Sequence, residues 1–191
     1  MTFKAYDILS SLVPGFLLLI AGLNTFGIYF DKDLIVPYTA VAFLLGFLNN
    51  TISSWLEDLY FWTWGGKPSN KLLDGKSVWK VPFYHSAKTK NLLIADCPNQ
   101  SPSNDELFSI AMRKSNGQER VDNFNAMYAF SRALLTTVLI ATIFLLITHY
   151  TEWQYYALTI PVFIVLWLRT KQRGYYYARE VLNTYLKQKE S

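Results

Sequence analysis

The apolar residues of the chain fall into four uncharged stretches, two toward each end, separated by polar segments. The first pair covers Ile8–Phe30 and Leu34–Leu56, and the second covers Ala133–Thr148 and Tyr155–Leu168. A bilayer core of ~30 Å is crossed by about 20 helical residues, each rising about 1.5 Å. The first two stretches reach that length alone. The last two reach it with their aromatic flanks, which suit membrane interfaces. The pattern predicts four transmembrane helices.

The connections within each pair are very short. Asp31-Lys32-Asp33 joins the first two stretches, and Thr151-Glu152-Trp153 joins the last two. Connections of this length permit only tight antiparallel hairpins. The chain is therefore predicted to contain a transmembrane hairpin over residues 1–56, a cytoplasmic insertion over 57–127, a second transmembrane hairpin over 128–169 and a cytoplasmic C-terminal helix over 170–191.

The charges predict the orientation of these segments. Residues 56–132 hold ten Lys or Arg against eight acids, and residues 169–191 hold six against two. Each hairpin turn carries a net negative charge instead. Because basic residues that flank transmembrane helices stay on the cytoplasmic side, we expect a multi-pass membrane protein. The insertion and both termini are then cytoplasmic.

The composition agrees with a membrane protein and leaves one alternative. The chain is 51% hydrophobic and 17% charged, whereas soluble domains have about 25% charged residues. The alternative is a water-soluble bundle that buries all four apolar helices. A chain of 191 residues is too short to cover four such helices on every side. The membrane interpretation is therefore favoured.

The second apolar stretch has one distinctive face. Ala42, Gly46, Asn50 and Ser54 recur every four residues, and Asn49, Ser53 and Glu57 lie beside them. Small residues at this spacing let two helices approach closely, and amides can hydrogen-bond across the contact. One interpretation is that this face packs inside a single subunit against small residues of the third helix. The other is that it lines a subunit interface or an aqueous path, because polar residues at membrane depth often have functions.

The insertion contains a basic and aromatic segment. Residues 67–90 hold six lysines and one acid, Asp74. Such a segment suits phosphates with stacked bases, or anionic lipid headgroups. The simpler interpretation is that cytoplasmic loops are rich in lysine and that the aromatic residues form a small core. The candidate residues for binding a partner or phosphate are Lys71, Lys76, Lys80, Lys88, Lys90 and Trp79.

The insertion is predicted to have mixed secondary structure. Asp74-Gly75 is a turn signal, and Ser77–Tyr84 has the extended pattern of a short strand. Ser103 and Glu106 have the spacing of a capping box that begins a helix. We expect the third apolar helix to begin near Gln118 and the fourth to continue to about Lys187. The fold class is an all-α membrane protein of four transmembrane helices in two hairpins, with a small mixed α/β cytoplasmic insertion.

The sequence contains no pattern of a known catalytic site. Phosphate-binding loops, dinucleotide fingerprints and nucleophile turns are all absent. The two histidines, His85 and His149, are expected on opposite faces of the membrane, and Cys97 is the only cysteine. We therefore expect a non-enzymatic protein without a metal or other cofactor.

The opening of the chain resembles a group of bacterial proteins. Its residues Tyr6-Asp7-Ile8-Leu9-Ser10-Ser11-Leu12-Val13-Pro14-Gly15-Phe16 resemble the start of small membrane proteins found among antiphage defence genes. The four-span layout is similar to the membrane accessory proteins of RNA-targeting CRISPR systems of the Cas13b type, and to the membrane subunit of the Kiwa system. The resemblance implies an oligomeric, multi-pass component of a bacterial inner (plasma) membrane that senses or executes an antiviral response. It carries no site residues onto this chain.

Three functions follow as hypotheses. The first is a non-enzymatic, homo-oligomeric membrane protein of a defence system, which acts as a sensor, effector or accessory component. Its partners would be the lipid bilayer and a cytoplasmic protein, with nucleic acid a less favoured partner. The second is a small channel or transporter-like protein unrelated to defence. The third is a membrane-bound enzyme whose site has no recognised pattern.

Overall fold

A computed structural model describes residues 5–76 and 81–190, and these residues form helices joined by short loops. A single 3-10 turn at Lys32–Leu34 precedes the second helix. The helices are α1 (Ala5–Thr25), α2 (Ile35–Trp55), α3 (Glu57–Thr63), α4 (Pro68–Leu73), α5 (Ser86–Asp96), α6 (Asn104–Ser115), α7 (Glu119–Thr148) and α8 (Trp153–Glu190). The chain divides into two compact units. Unit 1 comprises Met1–Glu57 and Ala129–Thr170, and unit 2 comprises Asp58–Tyr128 and Lys171–Ser191.

The helices α1 and α2 of unit 1 touch each other backbone to backbone. A Cβ atom added at Gly46 would lie 1.8 Å from the carbonyl oxygen of Ser11, and one added at Gly15 would lie 1.7 Å from the carbonyl oxygen of Ala42. No side chain larger than a hydrogen atom fits at either position. The first hairpin therefore depends on two glycines, one on each helix.

The surface and the interior of unit 1 are chemically inverted relative to a soluble protein. Its buried positions include small and polar residues such as Asn49, Ser53 and Thr137. Its exposed side chains are large and apolar, and they include Val36, Phe43, Leu44, Phe47, Leu48, Ile143, Ile147, Leu158, Ile160, Val162, Ile164 and Val165.

Among the residues that the structure describes, two helices are long and apolar enough to cross a membrane. They are Lys32–Trp55, which includes α2, and Glu119–Thr148, which is α7. A shorter apolar helix covers Ser10–Thr25. Of the four predicted spans, two therefore have the length and apolarity that a crossing requires. The helix α8 falls short because its uncharged part ends at Arg169 and contains tyrosine, threonine and glutamine, which lower its hydropathy.

Unit 2 is built around a closed apolar core. Residues from α4, α5, α6, α7 and α8 contribute to it, and the fully buried members include Leu72, Leu93, Leu107, Val181 and Leu182. Charged side chains lie mainly on its outside, where several form ion pairs. This arrangement is the one expected for a domain that folds in water.

The predicted α/β character of the insertion is wrong for the residues that the structure describes. The segment 77–80 lies outside the described residues, and no strand occurs over residues 81–84. Pro82 lacks the N–H that a strand pairing would use. Val81 and Phe83 instead place their side chains in the core of unit 2, and α5 begins at Ser86. The described part of the insertion is helical.

Other local predictions are confirmed. Ser103 Oγ accepts a hydrogen bond from the backbone N–H of Glu106 at 3.2 Å, and the Glu106 carboxylate accepts one from the N–H of Ser103 at 2.8 Å. This is the predicted capping box. The long helices α7 and α8 begin at Glu119 and continue to Glu190, respectively, close to the predicted positions.

Candidate functional site

The predicted small-residue face of α2 is divided among different surroundings. Ala42 and Gly46 face α1 within the same chain, at the backbone contact described above. Asn50 Nδ2 donates a hydrogen bond to Ser11 Oγ at 3.1 Å, also on α1. Ser54 is exposed. The first three residues therefore join α2 to α1, whereas Ser54 takes no part in that contact.

A neighbouring set of residues on α2 joins this helix to α7. Asn49 is 1% exposed, and its Nδ2 donates a hydrogen bond to the carbonyl oxygen of Ala133 at 3.0 Å. Its Oδ1 receives no hydrogen bond from the residues that the structure describes. One turn later, Ser53 Oγ accepts a hydrogen bond from Arg132 Nε at 3.1 Å. Side chains four residues apart lie on the same face of a helix, so these contacts form one line.

An ion pair completes this line. Arg132 Nη1 lies 2.6 Å from Glu57 Oε1, and both side chains are largely buried. We call Asn49, Ser53, Glu57 and Arg132 the α2–α7 polar cluster. Removing one member of a buried pair leaves the other charge uncompensated, which costs more than the pair itself contributes. The cluster therefore fixes the position of α2 against α7. Sequence reasoning had placed Asn49, Ser53 and Glu57 beside the ridge and had missed Arg132.

Three lysines of residues 67–90 form ion pairs within unit 2. Lys90 pairs with Asp74 at 2.9 Å, Lys67 pairs with Asp105 at 2.8 Å, and Lys88 pairs with Glu190. These pairs offset much of the positive charge that the sequence places here.

The remaining candidates of that segment differ from one another. A hydrogen bond from Asn104 and the pairing with Lys90 lower the pKa of Asp74, and the charge of exposed Lys76 acts in the same direction. Trp79 and Lys80 lie outside the described residues. No continuous surface of unopposed lysines is assembled from the described members.

Lys71 differs from the other candidates because it points inward. Its Nζ donates a hydrogen bond to the carbonyl oxygen of Trp64 at 2.8 Å. This oxygen lies just past the end of α3, where a positive charge is favourable. The turn that follows uses Gly65 and Gly66 with φ of +77° and +121°, a region that only glycine adopts without strain.

The structure adds one lysine that sequence reasoning did not select. Lys171 is half-buried, and burial lowers its pKa, with the positive charge of Lys71 acting in the same direction. The sequence signal was its position, because it is the first lysine after the fourth apolar stretch. Lysines at such positions are common flanks of transmembrane helices, so the pattern alone gave no reason to choose it.

The aromatic and basic end of α8 packs within unit 2. Tyr175 and Tyr185 are buried in the core, and the rings of Tyr128 and Tyr177 stack with centroids 6.2 Å apart. Tyr185 Oη donates a hydrogen bond to Asp96 Oδ2 at 2.9 Å. These contacts are those of an amphipathic helix that packs against the core of its own unit.

Neither a metal site nor a relative gives further guidance. Within residues 5–76 and 81–190, no three side chains of His, Cys, Asp or Glu converge closely enough to hold a metal ion. Comparison of the chain with models of protein families, with characterised proteins and with solved structures gives no significant match.

Proposed function

We propose that the chain is a non-enzymatic, multi-pass membrane protein, whose unit 1 lies in the bilayer and whose unit 2 couples a cytoplasmic partner to it. One observation carries this proposal, namely the inverted chemistry of unit 1. Phe43, Leu44 and Phe47 occupy the outside of α2, while Asn49 and Ser53 occupy its inside. In water, an apolar surface this continuous would promote aggregation. In lipid, it is the ordinary outer surface of a protein.

The four-span arrangement is part of the proposal. The helices α2 and α7 have the required length and apolarity. The helix α1 packs tightly on α2, so we expect the two to cross together as a hairpin. The first part of α8 exposes Leu158 and Ile164 along a continuous apolar surface, which supports a fourth crossing after the turn that precedes Trp153.

The orientation follows from the charges. Unit 2 and the C-terminal segment hold the excess of Lys and Arg, whereas the turns at residues 31–33 and 151–153 are acidic. We propose that unit 2 and both termini lie in the cytoplasm. The role as a sensor, effector or accessory component of antiphage defence rests on the resemblance of the chain's opening, Tyr6–Phe16, and homo-oligomerisation is proposed on the same ground.

The contacts inside unit 1 favour a packed structure over a pore within one chain. Two buried polar groups donate to backbone carbonyl oxygens: Asn49 Nδ2 donates to Ala133, and Thr170 Oγ1 donates to Ser131 at 3.0 Å. Groups engaged in this way do not line a water-filled path. A channel function would therefore require an oligomer and a surface other than the one formed by Ala42 and Gly46.

The experiment that tests the membrane proposal compares two substitutions to arginine. Leu44→Arg places a charge on the outer face of α2, where insertion costs roughly 3 kcal/mol more than with leucine. Tyr84→Arg places the same charge on unit 2, at a side chain that is even more exposed, 85% against 58% for Leu44. We expect Leu44→Arg to reduce the carbonate-resistant membrane fraction strongly and Tyr84→Arg to leave it unchanged. Equal behaviour of the two variants would overturn the proposal.

The only cysteine of the chain supplies a test of orientation in the same preparations. Cys97 is partly exposed in unit 2, so a membrane-impermeant maleimide should label it only after the cells are permeabilised. Labelling in intact spheroplasts would contradict the cytoplasmic placement of unit 2. Phage-plating assays on the same strains test the defence role. Protection by wild type and by Tyr84→Arg but not by Leu44→Arg supports it, and no protection by wild type overturns it.

A further inference from the structure

An open cleft lies at the C-terminal end of α6 in unit 2. Its volume is about 500 Å³, and it is lined by Asp96, Ile110, Arg113 and Lys114. Arg113 and Lys114 belong to the last turn of α6, and both are exposed. They follow the buried Ile110 by three and four residues, so the three side chains lie on one face of the helix. The cleft therefore combines two cations and one carboxylate with an apolar residue.

Positive charge is in excess at this cleft. Lys189 Nζ donates to Asp96 Oδ1 at 2.7 Å, and Tyr185 Oη donates to Asp96 Oδ2 at 2.9 Å. The hydrogen bond from Lys189 lowers the pKa of Asp96, and the charge of Lys114 acts in the same direction. Arg113 and Lys114 form no ion pair with any residue that the structure describes. One carboxylate is thus shared among three cations, and two of these lack an ion pair.

A second cleft adjoins the first, because Arg113 lines both of them. Its volume is about 280 Å³, and the residues that line it include Asn116, Asp122, Asn125 and Tyr177. Asn116 and Asn125 are exposed. A side-chain amide offers donors and an acceptor together, as a peptide backbone does. We call the two clefts together the α6 groove.

The aromatic wall of the α6 groove is held in place by other rings. The ring of Tyr177 stacks on that of Tyr128 with centroids 6.2 Å apart, and it meets Phe108 edge-on at 6.5 Å. Tyr177 Oη also lies 3.5 Å from Met112 Sδ. A side chain that is already ordered loses little entropy when a ligand binds. This wall of the groove is therefore preformed.

The charges of the α6 groove favour one class of ligand. A guanidinium such as that of Arg113 pairs with a carboxylate through two parallel hydrogen bonds. Asp96 and Asp122 lie in the two clefts on either side of Arg113, so a continuous row of phosphates would meet an acid in each cleft. A peptide has carboxylates only at intervals, and its backbone N–H groups can donate to these acids. Each oxygen of Asp96 accepts one hydrogen bond within unit 2 and has a second lone pair for such a donor.

We propose that the α6 groove binds an extended, acidic segment of the cytoplasmic partner, with carboxylates of that segment on Arg113 and Lys114. Asn116 and Asn125 then bond to the backbone of the same segment in the second cleft. This assignment deepens the proposed function and rests on it in one respect, namely that unit 2 meets a cytoplasmic partner.

The test measures the binding of three fluorescein-labelled probes to the full-length protein in detergent, by fluorescence anisotropy. The first probe is a short peptide of Glu, Ser and Gly, and the second carries Gln in place of every Glu. The third is oligothymidylate of the same number of units. We expect the acidic peptide to bind most tightly. Binding of oligothymidylate as tight as that of the acidic peptide would overturn the peptide as ligand in favour of nucleic acid.

The double variant Arg113→Gln with Lys114→Gln tests the cationic end of the groove. It should weaken binding of the acidic peptide about tenfold, because it removes two exposed charge pairs. The matched control is Lys76→Gln with Lys187→Gln, which removes the same charge from exposed lysines of unit 2 that do not line the groove. Its affinity should stay within about twofold of the wild type, since distant charges are screened by salt.

The two double variants are compared at equal midpoints of thermal unfolding, recorded by circular dichroism. Equal losses of affinity in both would reduce the effect to net charge and overturn the site. Unchanged affinity in the Arg113 and Lys114 double variant would overturn it as well.

Asn125→Ala tests the second cleft without a change in charge. We expect it to weaken binding of the acidic peptide about fivefold, the loss of one hydrogen bond. Unchanged affinity in this variant would confine binding to the first cleft and overturn the extended segment.

Membrane fractionation of the same cells distinguishes failure of this site from failure of the proposed function. A wild type that stays in the membrane fraction but binds both peptides equally overturns the groove and leaves the membrane function standing. A wild type that is absent from the membrane fraction, yet prefers the acidic peptide and loses it in the Arg113 and Lys114 double variant, overturns the membrane function and supports the groove.

Discussion

Leu158 and Leu182 lie on the same helix, α8, and have opposite surroundings. Leu158 belongs to unit 1 and is 66% exposed, whereas Leu182 belongs to unit 2 and is completely buried. The same contrast runs through both units. Most of the exposed large apolar side chains lie in unit 1, and most of the buried ones lie in unit 2.

The difference indicates that the two units use different forces to hold their helices together. In unit 2, the removal of apolar surface from water stabilises the core formed by residues such as Leu72 and Leu107. In lipid, apolar contact between helices gives no such gain, so helices associate through close approach and hydrogen bonds. Unit 1 has both, at Gly46 and at the α2–α7 polar cluster.

The largest expected difference is between the free energies of unfolding of Leu158→Ala and Leu182→Ala. Leu182→Ala removes a side chain from a closed core, which costs about 2–5 kcal/mol. Leu158→Ala removes a side chain that faces outward, and we expect a cost below about 0.5 kcal/mol, as for most surface substitutions. The free energy of unfolding should be measured for both variants by denaturant titration in the same detergent.

These two variants also test the comparison itself. A large loss for Leu158→Ala would mean that this residue is buried by something other than lipid or detergent, such as a second copy of the chain. Size-exclusion chromatography with light scattering of the same samples would identify that case. Equal small losses for both would contradict the apolar core of unit 2.

Substituting alanine for Gly46 of α2 tests whether the helices of unit 1 are held together by close approach. Gly46→Ala places a methyl group 1.8 Å from the Ser11 carbonyl oxygen, so the helices must separate. Overpacking of this kind costs about 1–3 kcal/mol. Gly22→Ala is the matched control, since its Cβ meets no atom within 4 Å. That change should stabilise α1 by about 0.5–1 kcal/mol, because alanine loses less backbone entropy than glycine.

The measurement is again the free energy of unfolding in detergent, with the oligomeric state recorded in parallel. A loss of stability for Gly46→Ala without a change in size indicates packing inside one chain. A change in size with unaltered stability would show that this face of α2 serves an interface between copies instead. Equal stabilisation of both variants would contradict the close approach of α1 and α2.

The apolar pattern of the sequence predicted where the helices of unit 1 lie, but not which helix each of their faces contacts. The ridge of Ala42, Gly46 and Asn50 was visible because its period of four matches the helix. Adjacent residues of α2 point in directions about 100° apart around the helix axis. Two neighbouring amide side chains can therefore face different helices. Asn49 faces α7 and Asn50 faces α1, and no local pattern separates them.

The failures in unit 2 have a different cause. The alternation of residues 81–84 resembles a strand, yet Val81 and Phe83 reach the core without one. The lysine count of residues 67–90 suggested an open basic surface, yet the acids that pair with Lys67 and Lys88 lie 38 and 102 residues away. Pairings at such separations are set by the folded structure, so charge counts along a segment miss them.

The smallest expected effect is on the pH dependence of the free energy of unfolding, and it arises from an ion pair in unit 2. Lys189 Nζ donates to Asp96 Oδ1 at 2.7 Å and Tyr185 donates to its other oxygen. These contacts hold the pKa of Asp96 below its ordinary value of 3.8. A carboxyl group with a lowered pKa in the folded state stabilises the fold above its unfolded pKa, and this contribution is lost as the pH falls through the folded pKa.

Asp96→Asn should therefore lower the free energy of unfolding at pH 7 and flatten its decline below a pH of about 4. We expect a loss on the order of 1 kcal/mol, because the contacts are charge-assisted but partly exposed. The control is Asp58→Asn, which removes one carboxylate from an exposed position of the same unit. Unfolding curves between pH 3 and pH 7 provide the measurement. If Asp96→Asn keeps the full acid dependence, the carboxylate that joins α5 to the end of α8 does not contribute to the stability of unit 2. The burial of Tyr185 and Leu182 alone would then hold that helix in place.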